Sequence, residues 1–283
     1  MPAYLLIFTA AVLWAFIGVF SKTVLDAGIS PIEIAFWRAA IAGSLFLIHA
    51  TYKKELQLKK VNDIFIFIAF ALFGVTIFYS SLILSIQAGS ISLAYILLYS
   101  APAFVVILAF LLLKEAITIR KIILLLVAII GVILVSLDKS ESISVNPTAL
   151  FWGLVAGLSY SSYYIFGKWI LGRYQVVAIY AYILPIGALG LLPFVDFHSK
   201  DLRSGMFILA IAVLSTYLAY FVYYSGLKRM QASQAVMIAT VEPVISAVLA
   251  AIFFAEVLSL RGIIGGVFIL LASFLSIDTK QDT

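Results

Sequence analysis

The sequence predicts an all-α polytopic membrane protein: ten transmembrane helices forming an inverted 5+5 repeat around a central cavity. Three observations predict it. The chain of 283 residues is 65% hydrophobic and 11% charged, with a mean hydropathy of +1.19, whereas a soluble domain carries about 25% charged residues. Its apolar residues fall into ten stretches, each near the roughly 20 residues that a bilayer core needs. The two halves of the chain also resemble each other at a fixed offset.

The stretches are 3–22, 32–51, 62–84, 88–113, 119–137, 148–169, 174–194, 205–227, 231–255 and 260–277. No Lys or Arg precedes the first, and it is long for a signal-peptide core, so it is read as a retained span. The second starts at a turn marked by Gly28, Ser30 and Pro31, and the sixth at Asn146-Pro147. The remaining connections are short and hold nearly all the charge. The longest polar pieces, "TYKKELQLKK" at 51–60 and "DKSESISVNP" at 138–147, leave no room for an extramembrane domain.

Orientation follows from the basic residues. With the N-terminus in the cytoplasm, the inner loops receive Lys53, Lys54, Lys59, Lys60, Lys114, Arg120, Lys121, Lys168, Arg173, Lys228, Arg229 and Lys280. The outer loops receive Lys22, Lys139, Lys200, Arg203 and Arg261. Twelve against five is the bias of a positive-inside membrane, with both termini cytoplasmic. The absence of cysteine excludes disulfides and thiolate chemistry.

Shifting the first half by 141 residues places Tyr79 on Tyr220, Ser92 on Ser233, Pro102 on Pro243, Glu115 on Glu256 and Arg120 on Arg261. The first helices match at a shift of 146, with Trp14 on Tyr160 and Lys22 on Lys168. The units are 3–137 and 148–277. Five spans is an odd number, so the second unit enters the membrane upside down. Such inverted repeats mark secondary transporters, whose sites lie near the midplane between the halves.

The pattern P-x12-E-x4-R, from Pro102 to Arg120 and again from Pro243 to Arg261, resembles the two EamA units of the drug/metabolite transporter superfamily. "ATVEPVISAVLAAIFFAEVLSLRGIIGGVFILLA" is especially similar to that family's C-terminal signature. The resemblance implies ten helices around a cavity, transport of a small organic solute across the inner membrane, and export as the direction.

Glu242 lies near the centre of the ninth stretch, where a charge costs about 2.5–3.5 kcal/mol on insertion scales. It is expected either to contact a substrate amine or couple protons, or to close the break made by Pro243, which has no N–H for the Ala239 carbonyl. Pro102 and Pro243 are candidate hinges or static kinks. Glu115 with Arg120, and Glu256 with Arg261, are expected as structural ion pairs or caps for the next helix, with a gate pair as the alternative. Arg38 is the other deep charge, expected to contact a substrate carboxylate or phosphate, to snorkel outward, or to pair with Glu33. Lys22 and Lys168 are expected to anchor helix ends at the interface. Trp14, Tyr79, Tyr95, Tyr99, Tyr160, Tyr164, Tyr220 and Tyr224 lie too deep for an interfacial belt, and they predict an aromatic cavity wall joined by Gln234. Buried hydroxyls need partners or water, and such walls suit flat or cationic solutes.

No metal-ligand cluster or cofactor motif is present, and no Walker A loop. Energy would then come from an ion gradient, with proton coupling through Glu242, or from the solute's own gradient. The expected partners are a solute and the bilayer, with no nucleic acid, in a monomer or homodimer. The alternatives are an importer or exchanger of a nucleotide-like metabolite, an intramembrane enzyme acting on lipid, and a non-transporting sensor or partner subunit.

Overall fold

The computed structural model describes residues 1–89, 91–138, 146–255 and 259–277, and of residues 91, 92 and 138 the backbone alone. All regular structure among them is helical. The rods are α1 (Ala3–Asp26), α2 (Pro31–Tyr52), α3 (Asp63–Ala88), α4 (Ile91–Leu98 and Ala101–Leu113) and α5 (Ile119–Asp138). They continue with α6 (Pro147–Ile170), α7 (Val176–Leu191), α8 (Leu202–Leu227), α9 (Ala232–Ala239 and Glu242–Phe254) and α10 (Leu260–Ser276).

Local chemistry sets the ends. Ser30 accepts from the Glu33 amide at 3.2 Å, the forward half of a capping box, with Pro31 at the first helical position. Asn146 accepts from the Ala149 amide at 2.8 Å and Asp201 from the Ser204 amide at 2.8 Å. The Asp201 cap starts α8 a turn earlier than hydropathy alone suggests. Gly28, at φ +82°, turns the chain between α1 and α2.

Eight of the rods are long and apolar enough to cross a bilayer. α10 is apolar but has 17 residues. α6 has 24 residues but carries Ser159 through Tyr164 across its middle, with Ser159, Ser161, Tyr163 and Tyr164 buried. Four of the six residues of that run are thus packed against protein.

Partners between the halves run antiparallel. In α5 and α10, the Arg120 guanidinium donates to the Leu275 carbonyl at 2.5 Å. Further along, a Cβ on Gly131 would meet the Gly265 oxygen at 2.7 Å, and one on Gly265 would meet the Gly131 oxygen at 2.6 Å. Backbones approach this closely only where both residues lack side chains. In α2 and α7, Phe46 stacks on Tyr180 at 5.2 Å and Gly43 abuts Pro185. In α3 and α6, Phe70 stacks on Phe166 at 4.1 Å, while Ser85 donates to the Ala149 carbonyl at 2.9 Å. α1 meets α8 likewise, through Phe20 with Phe207 and Ala3 with Gly226.

α4 and α9 break in the same way. The Tyr99 amide donates to Tyr95 and the Ser100 amide to Leu97, and then the Ala103 and Phe104 amides both donate to Ser100. In α9 the Thr240 amide donates to Val236 and the Val241 amide to Ile238, and the Val244 and Ile245 amides both donate to Val241. All four bonds recur 141 residues later. So do the left-handed residues that end the two helices, Lys114 at φ 58° and Ala255 at φ 53°. π-helical turns interrupt α3 at Ala71–Ile77 and α8 at Val213–Leu218.

Candidate functional site

The break in α9 builds the site. Pro102 and Pro243 each stand within the first two positions of the second segment, where a missing N–H leaves little unpaired. The proline therefore caps a fresh segment rather than kinking a continuous one. Glu242 opens that segment, at the helix end that favours an anion. The Thr240 hydroxyl donates back to Met237 at 2.5 Å, filling a carbonyl that the break frees, and to Val236 at 3.1 Å, whose carbonyl also keeps the Thr240 amide.

Beside the break, α4, α6 and α9 enclose a cavity of about 10 Å³. Tyr99, Pro102, Tyr160, Tyr164 and Glu242 line it. Val236, Ala239 and Thr240 complete the lining; the sequence marks Ala239 only as the carbonyl that Pro243 leaves without a donor, and Val236 and Thr240 not at all. A ligand pocket is usually about 300–1,000 Å³, so in this conformation the site is shut to a solute, with room for about one water. Tyr160 and Tyr164 meet edge to face at 5.6 Å, their hydroxyls 3.3 Å apart. Among the described residues no hydrogen bond or ion pair reaches the Glu242 carboxylate; Arg38 is the opposite charge within its electrostatic reach.

Arg38 is 7% exposed. Its Nε donates to Thr216 Oγ1 at 3.1 Å, and its guanidinium lies 5.5 Å from the centre of the Tyr79 ring. Thr216 sits in the π turn of α8 and donates to the Ile211 carbonyl at 3.0 Å, so its oxygen is held toward Arg38. π turns often occur at functional positions, where the extra residue re-aims side chains. Neither snorkelling nor Glu33 claims Arg38. Glu33 is fully buried and engaged by Trp37, His198 and Lys200.

Of the expected wall, Trp14, Tyr79, Tyr95, Tyr220, Tyr224 and Gln234 are not among the residues that line this cavity, and neither is Arg38. Tyr220 reaches Arg38 and Glu242 electrostatically and meets Trp14 edge to face at 6.0 Å. Tyr95 reaches the same two charges. Tyr224 is fully buried, donates to the Tyr163 carbonyl at 3.0 Å and lies where a Cβ on Gly167 would stand, so it fills the α6–α8 contact. Gln234 is buried in the first segment of α9.

At one end of the bundle Glu115 accepts from the Ala232 amide at 2.7 Å, the Ser233 amide at 3.2 Å and the Ser233 hydroxyl at 2.5 Å. Its ion partner is Lys121 at 3.9 Å rather than Arg120, because Arg120 points along α10. Glu115 thus caps α9, across the halves. Lys168 donates to the Leu227, Lys228 and Met230 carbonyls. Lys22 lies 4.0 Å from the Phe254 ring centre. Glu256 lies outside the described residues, while Arg261 begins α10 with its amide bound to Ser259. In the loop before α7, Tyr174 donates to Asp63 at 2.6 Å, and burial together with that carboxylate holds its hydroxyl above the ordinary tyrosine range.

Comparison with known proteins places these features in a family. The EamA-like transporter family model matches residues 1–137 and again 147–277. A transporter of Archaeoglobus fulgidus is 28% identical over 256 residues, spanning 89% of this chain and 90% of that protein. The inner membrane transporter YicL of Salmonella typhimurium is 25% identical, over 96% of this chain and 94% of its own. YetK, a transporter of Bacillus subtilis, is 25% identical over 74% of this chain and 68% of its own. A crystal structure sharing 15% identity superimposes with a TM-score of 0.84 over 97% of this chain and 96% of that one, a likeness of fold. The two family matches cover nearly every residue described above, and the chain is a multi-pass membrane transporter that belongs to the EamA-like transporter family.

Proposed function

We propose that this chain is a secondary transporter that carries a small organic metabolite, amino-acid-like, aromatic or amine-bearing, across the inner membrane by alternating access, working as an exporter. One observation carries the proposal. Arg38 from the first half and Glu242, on the tyrosine-lined cavity beside the break in α9, are opposite charges within electrostatic reach of each other. Among the described residues no ion pair closes between them. Opposite charges held apart at membrane depth are costly unless something polar comes between them. A solute bearing an amine, or both charges, does so.

Ten spans in two inverted units are supported by the repeated breaks and by the antiparallel course of the equivalent helices α2 with α7 and α5 with α10. Two units related by an axis in the membrane plane require that course. α6 and α10 stand where α1 and α5 stand in the first unit. Alternating access is supported by unequal exposure at equivalent positions. Tyr95 is 40% exposed and Val236 is 2% exposed. In the equivalent segments Ala101–Leu113 and Glu242–Phe254, the first buries Ala101, Pro102, Val105, Val106 and Ala109, and the second only Ala247 and Ala250. The end where α4 finishes and α9 begins is the one Glu115, Lys121 and Lys168 tie shut. Exchanging the two arrangements between the halves, with flexing at Pro102 and Pro243, opens that end and closes the other. An inner-membrane location with cytoplasmic termini rests on the Lys and Arg asymmetry.

Counterflow in sealed liposomes tests this, using labelled amino acids, aromatic amines and nucleotide derivatives. Exchange of an amino acid or amine is expected, and exchange of none of the panel overturns the proposal. Arg38 would also suit a nucleotide-like phosphate, but Glu242 in the same field opposes a dianion.

A further inference from the structure

The structure assigns a phospholipid site to the groove at the start of α8, lined by Asp201, Leu202, Arg203, Met206, Phe207 and Ala210, and the occupant it fits is a zwitterionic phospholipid whose headgroup carries a primary ammonium. The groove shares no residue with the cavity beside Glu242. It requires that the chain lie in a bilayer and nothing about what is carried.

The groove holds about 730 Å³ and is open along one side, a size within the range of ordinary ligand pockets. Leu202, Met206 and Ala210 stand four residues apart, and Arg203 and Phe207 form the neighbouring row. The groove therefore follows one face of α8 for about 12 Å. Leu202 is 82% exposed and Met206 63%, so protein does not cover this apolar wall. Phe207 gives it a fixed edge, its ring 5.8 Å from that of Phe20 in α1. The charged residues come first. Asp201 is the N-cap of α8, and hydrogen bonds from Ser204, then the nearby Arg203 charge, hold its carboxyl below the ordinary range. The Arg203 guanidinium has five donors and meets no acceptor among the described residues; the Phe207 ring centre, 6.0 Å away, holds it over the groove. Lys200 is bound to Glu33, so it adds no second cation at the mouth.

Order and charge decide the occupant. Charge leads and apolar surface follows along α8, which is the order from headgroup to acyl chain in a lipid. α8 is long enough to span the bilayer, so its first turn stands at the membrane edge and Met206 to Ala210 reach into hydrocarbon. Arg203 suits a phosphate, and the Asp201 carboxylate suits a cation that can donate. An ethanolamine phospholipid supplies both groups, a phosphate and an ammonium a few bonds apart. A glycerol headgroup brings the phosphate charge with nothing to offset Asp201. A choline headgroup has the positive charge but no N–H. A soluble anion would leave the apolar wall uncovered.

The test is titration of the purified, delipidated full chain in detergent with dioleoyl phosphatidylethanolamine, phosphatidylglycerol and phosphatidylcholine. Melting temperature and the lipids retained in native mass spectrometry are the readouts. The ethanolamine lipid should bind about twofold to fivefold more tightly than either of the others, the span of one exposed ion pair. Asp201→Asn keeps the helix cap, since Asn caps as well as Asp, and should reverse the order in favour of the glycerol lipid. Arg203→Gln should weaken all three lipids by about twofold to fivefold. Both variants should melt with the wild type before lipid is added. Equal binding of the three lipids by the wild type would mean general solvation by the bilayer and would overturn the site, as would a wild-type preference for the glycerol lipid. An ethanolamine preference that survives Asp201→Asn, or affinities that Arg203→Gln leaves unchanged, would place the lipid elsewhere on the protein and overturn it too. No readout involves a carried solute, so the site can fail while the transport reading stands, and the reverse.

Discussion

Glu242 occupies in the second half the position that Ala101 holds in the first: each opens the helix segment after a break whose four backbone hydrogen bonds are the same. The scaffold is duplicated and the carboxylate is not. Backbone geometry therefore does not require an acid there, since the first break forms with a methyl group. Glu242→Gln is expected to leave folding and the melting temperature nearly unchanged. Solute transport driven by an imposed pH gradient should fall by about tenfold or more, the size of one lost charge-assisted contact. Unaltered proton-driven transport in liposomes would remove Glu242 from the coupling mechanism.

Tyr95 and Val236 are equivalent positions with opposite exposure. The chain has no cysteine, so single replacements report cleanly. Tyr95→Cys is expected to react with a membrane-impermeant maleimide from the side where α4 begins. Val236→Cys should stay silent until Glu115→Ala removes the cap from α9, after which it should react from the opposite side. Equal labelling of the two sites before that change contradicts the one-sided closure.

Gly131 and Gly265 bring α5 and α10 into backbone contact, with no room for a Cβ on either. Gly131→Val should push the helices apart and lower stability by about 1–3 kcal/mol, the usual range for overpacking. A melting curve in detergent measures it. A wild-type curve from Gly131→Val would mean that the two helices do not meet this way.

Pro243 interrupts α9 one residue after Glu242. Pro243→Ala restores an amide that can reach the Ala239 carbonyl and should straighten the helix. Transport is expected to slow while stability holds or rises, because the break is lost and no packing is. Unchanged transport with a straightened helix would rule out flexing at this position.

Tyr174 ties the loop before α7 to α3, donating to Asp63 and accepting from the Lys59 amide. Arg173 also pairs with Asp63 at 2.9 Å, and the Lys59 ammonium lies 5.9 Å from the Tyr174 ring centre. Burial, and then the Asp63 hydrogen bond, raise the hydroxyl above its ordinary 10.0. The sign follows from linkage: the stability it adds is complete below that ordinary value and drains away as pH climbs through the raised one. Tyr174→Phe should therefore flatten the alkaline end of a melting-temperature profile, and an unchanged slope between about pH 9 and 11 would count against this role.

Much of the architecture was legible in the chain. Hydropathy acts residue by residue, so apolar stretches mark the helices to within a few positions, as they do for α2 and α5. The cost of a charge at membrane depth is similarly local, which is why Glu242 and Arg38 stood out without any structure. Matched Pro, Glu and Arg at one spacing betrayed the repeat, since such coincidences are rare among apolar residues. What faces what was not legible. The π turn of α8 adds a residue to one turn and rotates everything after it, so Tyr220 comes within electrostatic reach of Arg38, Tyr224 packs against Gly167, and Thr216 becomes the partner of Arg38. Glu115 reaches over a hundred residues along the chain to cap α9, a choice set by how the two halves dock. The narrowness of the chamber and the end at which it closes belong to that docking as well. Insertion energies add along a sequence, whereas helix rotation and closure are decided by packing between segments that the sequence does not place side by side.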